Sequence, residues 1–167
     1  MTLHRDLLEQ ARHLAKREPK KPRQASLRRA VSNAYYALFH FMLYEATLLL
    51  FPNKPAGLRE RASRAFSHGD VRTVCETWGK GNAIVDFATA PNEPMLRDIA
   101  ATLRDLHERR QWADYDLTKT FDRVEVLRLI DKVENAMVDW KTIKNTDNAK
   151  IFLSSLLLHS RWNKYNA

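Results

Sequence analysis

Apolar residues recur along this chain at helical rather than strand spacing. Leu3, Leu7, Ala11 and Leu14 form one stripe, which predicts a first helix from Thr2 to about Arg17 with Thr2 as N-cap. Glu18-Pro-Lys-Lys-Pro-Arg23 ends it, because proline lacks a backbone donor and clashes with the preceding turn. A second helix is expected from about Gln24 to Leu50. From Ala34 onward it is apolar almost all round, the mark of a central, buried helix. Phe51-Pro-Asn-Lys-Pro-Ala-Gly57 closes it. A third helix is expected from about Leu58 to Phe66. His68-Gly69-Asp70 then reads as a stop, a break and the N-cap of a short helix from Val71 to about Trp78. Asn82 to Pro94 reads as irregular, its Pro91-Asn-Glu-Pro94 end turning into a long fifth helix from Met95 to about Tyr115. Asp122-Arg-Val-Glu125 has capping-box spacing and opens a sixth helix, with Val126, Leu129, Ile130, Val133, Met137, Trp140 and Ile143 on one face. A Leu-rich helix from Asp147 to about Arg161 completes the set.

No stretch alternates apolar and polar residues for long, and Gly is scarce at 4 residues. The expectation is an all-α fold, an up-and-down bundle of four longer helices with short extra helices at one end. Residues 1–167 are enough for a single domain with its own core, and about 146–167 would pack on the bundle or on a second subunit. The lone Cys75 excludes an internal disulfide framework and fits a reducing, cytoplasmic setting. Charged Arg5 and Asp6 soon follow Met1, so no signal peptide is expected. His40 and Glu45 interrupt the most apolar run, which argues against a membrane span.

Charge changes the picture of partners rather than of fold. The formal net charge is +8, and it is unevenly placed. Arg12, Lys16, Arg17, Lys20, Lys21, Arg23, Arg28 and Arg29 face one nearby acid, Glu18. Such a patch attracts phosphate backbones by releasing their counterions; it also fits a solvated helix end and linker.

The fifth helix carries the clearest pointer to a site. Ile99, Leu103 and Leu106 keep a core phase whose next member is Arg110. An inward cation is costly unless it is paired or used, and Asp114 stands one turn later. Either the pair anchors the helix end, with Tyr115 packed over it, or Arg110 meets a phosphate or oxyanion while Asp114 orients it. A second candidate is His68, reached from Arg61 over six intervening residues and flanked by Arg64 and Arg72; it equally fits a helix C-cap. Ser32, Asn33, Tyr35, Tyr36 and His40 on the second helix fit either interhelical bonds or a pocket lined by Tyr36, His40 and Arg110. Cys75 reads as core. No metal-ligand spacing appears, and Gly79-Lys80-Gly81 is too short to cradle a phosphate, so neither metal nor cofactor is expected.

The stretch Leu27-Arg-Arg-Ala-Val-Ser-Asn-Ala-Tyr-Tyr-Ala-Leu-Phe-His40, followed by Arg110-Gln-Trp-Ala-Asp-Tyr-Asp116, resembles a bacterial branch of the HEPN superfamily. The resemblance runs less sharply from about Leu3 to Trp162. It implies a small helical domain, often a homodimer, that interacts with RNA or nucleotides. Some members cut RNA without a metal, by 2′-hydroxyl attack that leaves a cyclic phosphate. Others are non-catalytic modules of toxin–antitoxin or defence systems, paired with an antitoxin or a nucleotidyltransferase-like companion. The family's nuclease motif is an Arg followed, after four to six intervening residues, by a His serving as general acid or base. No His follows Arg110 at that spacing; counting four intervening residues reaches Tyr115, with Asp114 just before it. The residues expected at a catalytic site are therefore Arg110, Asp114, Tyr115 and His68, with Arg28, Arg29, Arg61 and Arg64 for RNA or phosphate.

Overall fold

The computed structural model describes residues 2–53, 56–64, 66–80 and 94–162. Among them all regular structure is helical, and the fold is all-α. The helices are α1 (Leu3–Lys16), α2 (Gln24–Leu50), α3 (Ala56–Ser63), α4 (His68–Gly79), α5 (Pro94–Tyr115), α6 (Arg123–Ile143) and α7 (Asp147–Trp162). The expected irregular stretch from Asn82 lies, as far as Glu93, outside the described residues. No helix among them is long and apolar enough to cross a membrane.

The chain forms two compact units. The first comprises Met1–Phe41 and Thr102–Val138, the second Met42–Ala101 and Asp139–Ala167. Helices α2, α5 and α6 contribute residues to both.

In the first unit the contacts make neighbouring helices antiparallel. Gln10 on α1 accepts from Asn33 on α2 at 2.8 Å, while His4 meets Phe41 edge-on at 5.3 Å. Arg12 near the end of α1 bridges Asp131 and Glu134 on α6, both at 2.8 Å. Leu27, Val31, Leu38, Leu103, Leu106 and Ile130 are fully buried between these helices. The expected α1 stripe is rotated. The buried positions are His4, Ala11 and Ala15, whereas Leu3 is 57% exposed. Small alanines let α1 approach its neighbours closely, and His4 enters the interface with Thr2 Oγ1 at 3.0 Å from its Nε2. Thr2 is the N-cap residue but makes no capping side-chain bond.

At the start of α6, Asp122 accepts from the backbone N–H groups of Val124 and Glu125. This is half of the expected capping box, because Glu125 turns to Arg109 instead.

In the second unit Trp78, Trp140 and Phe152 form an aromatic core, with Trp78 edge-on to Phe152 at 5.6 Å. The Trp140 indole donates to Glu45 at 3.0 Å, giving that carboxylate a partner on α6. Gly79 ends α4 where a Cβ would come within 3.3 Å of the Ala101 backbone. The His68-Gly69-Asp70 break is corrected. Ser67 is the N-cap, accepting from the Asp70 N–H at 3.3 Å, and His68, Gly69 and Asp70 form the first turn of α4. Gly69 is accommodated in the first turn because the serine cap satisfies one of that turn's orphan donors, the Asp70 N–H.

Candidate functional site

The last two turns of α5 bring the expected residues Arg110, Asp114 and Tyr115 together with α2. Arg110 points inward, as the phase of α5 requires, and its side chain is only 15% exposed. Its Nη2 donates to the Tyr36 hydroxyl at 2.7 Å. Its Nε lies 2.9 Å from Asp114 Oδ2, but the N–H does not point along that line, so the contact is an ion pair rather than a formed hydrogen bond. The guanidinium carbon sits 5.8, 5.5 and 5.6 Å from the ring centres of Tyr35, Tyr36 and Tyr115. A cation at such distances from aromatic rings is favoured by their quadrupoles.

A buried serine completes the arrangement: Ser32 donates to Asp114 Oδ1 at 2.5 Å. Around it, Tyr35 meets buried His107 edge-on at 5.7 Å, and Tyr36 stacks on His40 at 6.1 Å. Burial disfavours the charged form of Arg110, yet the bond it donates to the Tyr36 hydroxyl and the field of Asp114 outweigh it and hold its pKa above the ordinary value. The guanidinium is therefore a permanent cation, and its Nη1 has no hydrogen-bond partner among the described residues. Chemically the site offers a fixed positive charge, a hydroxyl and a carboxylate at one helix end.

The other expected residues fall elsewhere. Arg28 belongs to the same unit but caps α5. It donates to the carbonyls of Trp112, Ala113, Asp116 and Lys119 at 3.1, 3.0, 2.9 and 2.5 Å, and lies 5.8 Å from the Phe121 ring centre. The carbonyls of Trp112 and Asp116 also accept backbone N–H bonds, from Asp116 and Lys119, so Arg28 adds a second donor there and ties the helix end to the turn that follows. Arg29, one position on, is exposed. Arg61 and His68 are exposed residues of the second unit, and Arg64, also there and 75% exposed, pairs with Glu60 at 3.5 Å. His68 stands at the start of α4 rather than at the end of α3, so its expected role as a C-cap is corrected. Asn33 turns to Gln10 and not toward Arg110. Cys75 is fully buried, and burial raises its thiol pKa far above the ordinary value.

Two members of the Arg110 constellation were weakly signalled. Ser32 stands in the second-helix motif with nothing local to mark its partner, which lies across the unit on α5. His107 precedes Arg110 by three residues on the same helix, and its burial follows from the phase set by Leu103 and Leu106. Among the described residues no group of three or more His, Cys, Asp or Glu is placed to hold a metal ion. Comparison with protein-family models, with curated proteins and with solved structures returns no match for this chain.

Proposed function

We propose that this chain is a HEPN-type RNA- or nucleotide-interacting protein of a toxin–antitoxin or defence setting. In this reading Arg110 meets a phosphate, and Asp114 and Ser32 fix its orientation. The observation that supports it most is a permanent cation held inward at 15% exposure, among three tyrosine rings, with Nη1 uncommitted. A purely structural arginine at a helix end tends to spend its donors on carbonyls, as Arg28 does; Arg110 spends none on them.

Cleavage would proceed by metal-independent attack of the ribose 2′-hydroxyl, leaving a cyclic phosphate. It needs a group that moves a proton near neutral pH, and Tyr115 stands at the spacing of the family's histidine, with Asp114 beside it. Binding is therefore the activity this reading places first. RNA affinity measured in EDTA, compared between wild type and Arg110→Ala, tests it. Loss of affinity with an intact fold supports the reading; unchanged affinity removes Arg110 from it.

A second reading is a non-catalytic helical dimer that docks a protein companion such as a nucleotidyltransferase-like partner. It is favoured by exposed apolar surface after the motif, where Tyr115 is 73% and Leu117 88% exposed. It predicts no salt-dependent RNA affinity.

A further inference from the structure

We infer that the corner joining α1 to α2 is a docking surface for the phosphate backbone of RNA, with Lys16, Arg17, Lys20, Lys21, Arg23 and Arg29 supplying the charge. The inference rests on the RNA-interacting reading above and assigns to it a face remote in sequence from Arg110.

Two cations of this basic stretch are already occupied. Arg12 bridges two carboxylates on α6, and Arg28 caps α5 with its whole guanidinium. The six named cations are exposed, and none has an ion-pair partner within reach among the described residues. The one acid of the stretch is turned away from the role of partner. Glu18 Oε1 accepts from the Ser26 hydroxyl at 2.8 Å, and Oε2 accepts from the Arg23 backbone N–H at 3.3 Å. It therefore caps the start of α2, and the nearby charges of Arg17 and Arg23 help to hold it ionised.

The corner is also held in place. Arg123 at the start of α6 donates to the carbonyls of Glu18 and Pro19, the latter at 2.9 Å. Gln24 makes a two-way bond with the Phe121 backbone, at 2.8 and 2.9 Å. Pro19 and Pro22 stiffen the segment between these ties. The charges are thus presented from a fixed backbone, so a ligand that neutralises them does not first have to order a loop. Arg123 adds a further cation through these ties, and Glu9 and Glu134 line the same hollow as Lys16 and Arg17, where Glu134 is engaged by Arg12; two further acids follow α5 and precede α6, Asp116 and Asp122. Both acids are engaged, Asp116 with Thr118 and Asp122 with the α6 N-terminus.

The chemistry selects the partner. Between Lys16 and Arg29 no aromatic side chain occurs, and Leu27 is buried. Residues 16–29 thus supply no ring on which a base could stack and no exposed apolar wedge for a lipid surface, and the neighbouring ring beside Lys16 and Arg17 is the imidazole of His13. What remains is charge that reads phosphates irrespective of sequence, with affinity falling steeply as salt rises.

The experiment is fluorescence anisotropy with end-labelled single-stranded and duplex RNA of mixed sequence, titrated over a range of salt. It compares wild type with Lys20→Glu/Lys21→Glu, with Arg29→Glu, with the conservative Lys20→Arg/Lys21→Arg, and with a charge-matched control on α6, Lys132→Glu/Lys141→Glu. Circular dichroism verifies that each variant folds. Wild type is expected to bind both RNAs. The corner reversals should weaken binding about tenfold or more and flatten the log–log salt slope by roughly 0.7–0.9 for each phosphate no longer neutralised. The Lys→Arg variant should bind as wild type does, and the α6 control should weaken far less than the corner reversal. RNA binding by wild type that the corner variants retain, or that the control loses equally, overturns the inference and leaves the RNA reading standing. No RNA binding by wild type at low salt, with or without affinity for anionic lipid vesicles, overturns both.

Discussion

The Ser32 hydroxyl on α2 meets the Asp114 carboxylate on α5 at 2.5 Å, and the other oxygen of that carboxylate lies 2.9 Å from Arg110 Nε. Asp114 therefore joins a buried donor to a half-buried cation. Asp114→Ala would leave Ser32 without its acceptor and Arg110 without its counter-charge. The expected cost is about 1–3 kcal/mol, read as a fall of roughly 2–4 °C in Tm per kcal/mol for a chain of this size. In a double-mutant cycle, Ser32→Ala and Asp114→Ala should couple by about 0.5 kcal/mol or more. Strict additivity would show that the short hydrogen bond carries no energy.

Arg28 satisfies four carbonyls at the end of α5, so its loss should be felt in stability first. Arg28→Ala is expected to cost about 1–3 kcal/mol. Arg28→Lys should not restore it, because one ammonium cannot span the positions a planar guanidinium reaches. Arg29→Ala, on the exposed neighbour, should stay within about 0.5 kcal/mol of wild type. Thermal melts of the three variants check the contrast, and equal behaviour of Arg28→Ala and Arg29→Ala would contradict it.

The hydrogen bond from Ser26, then that from the Arg23 backbone, holds the Glu18 carboxyl below the ordinary carboxylate range. Asp116 is lowered likewise by Thr118. A depressed folded pKa stabilises the fold above the unfolded value, about 4.3 for Glu, and that contribution fades as pH falls through the lower folded value. Melting temperature should therefore drop between pH 6 and pH 3, and the drop should be smaller in Glu18→Gln. An equal drop in both proteins would show that Glu18 contributes nothing to the acid response.

Burial pushes the Cys75 thiol far up from its ordinary value, and the thiolate is the reactive form. A thiol reagent at pH 8 should leave the native protein unmodified and label it fully in denaturant. Rapid labelling of the native protein would mean that α4 opens far more readily than its buried face implies.

Much of the helical frame was legible because 3.6-residue periodicity and the Pro and Gly stops act locally. The second helix ends where Gln24 and Leu50 predicted, and Arg110 faces inward as the phase of Ile99, Leu103 and Leu106 required. The failures share one physical cause, which is that the deciding interaction is distant or competes with a local rule. Of the expected α1 stripe Ala11 is fully buried, Leu7 and Leu14 are half-buried and Leu3 is exposed, while His4 and Ala15, outside the stripe, are buried, where the small alanines allow close approach. Ser67 outcompeted the reading of Gly69 as a helix break. The carbonyls that occupy Arg28 lie more than eighty residues away in the chain. Likewise Glu125 left its capping box for Arg109 on α5.

The most direct test of the proposed function is an RNA binding and cleavage assay in EDTA on wild type, Arg110→Ala and His68→Ala, each verified as folded. The account predicts that wild type binds RNA in a salt-dependent way, that Arg110→Ala loses that affinity, and that His68→Ala, altered in the other unit, keeps it. Wild-type affinity that survives in Arg110→Ala, or RNA affinity absent from all three proteins, would contradict it.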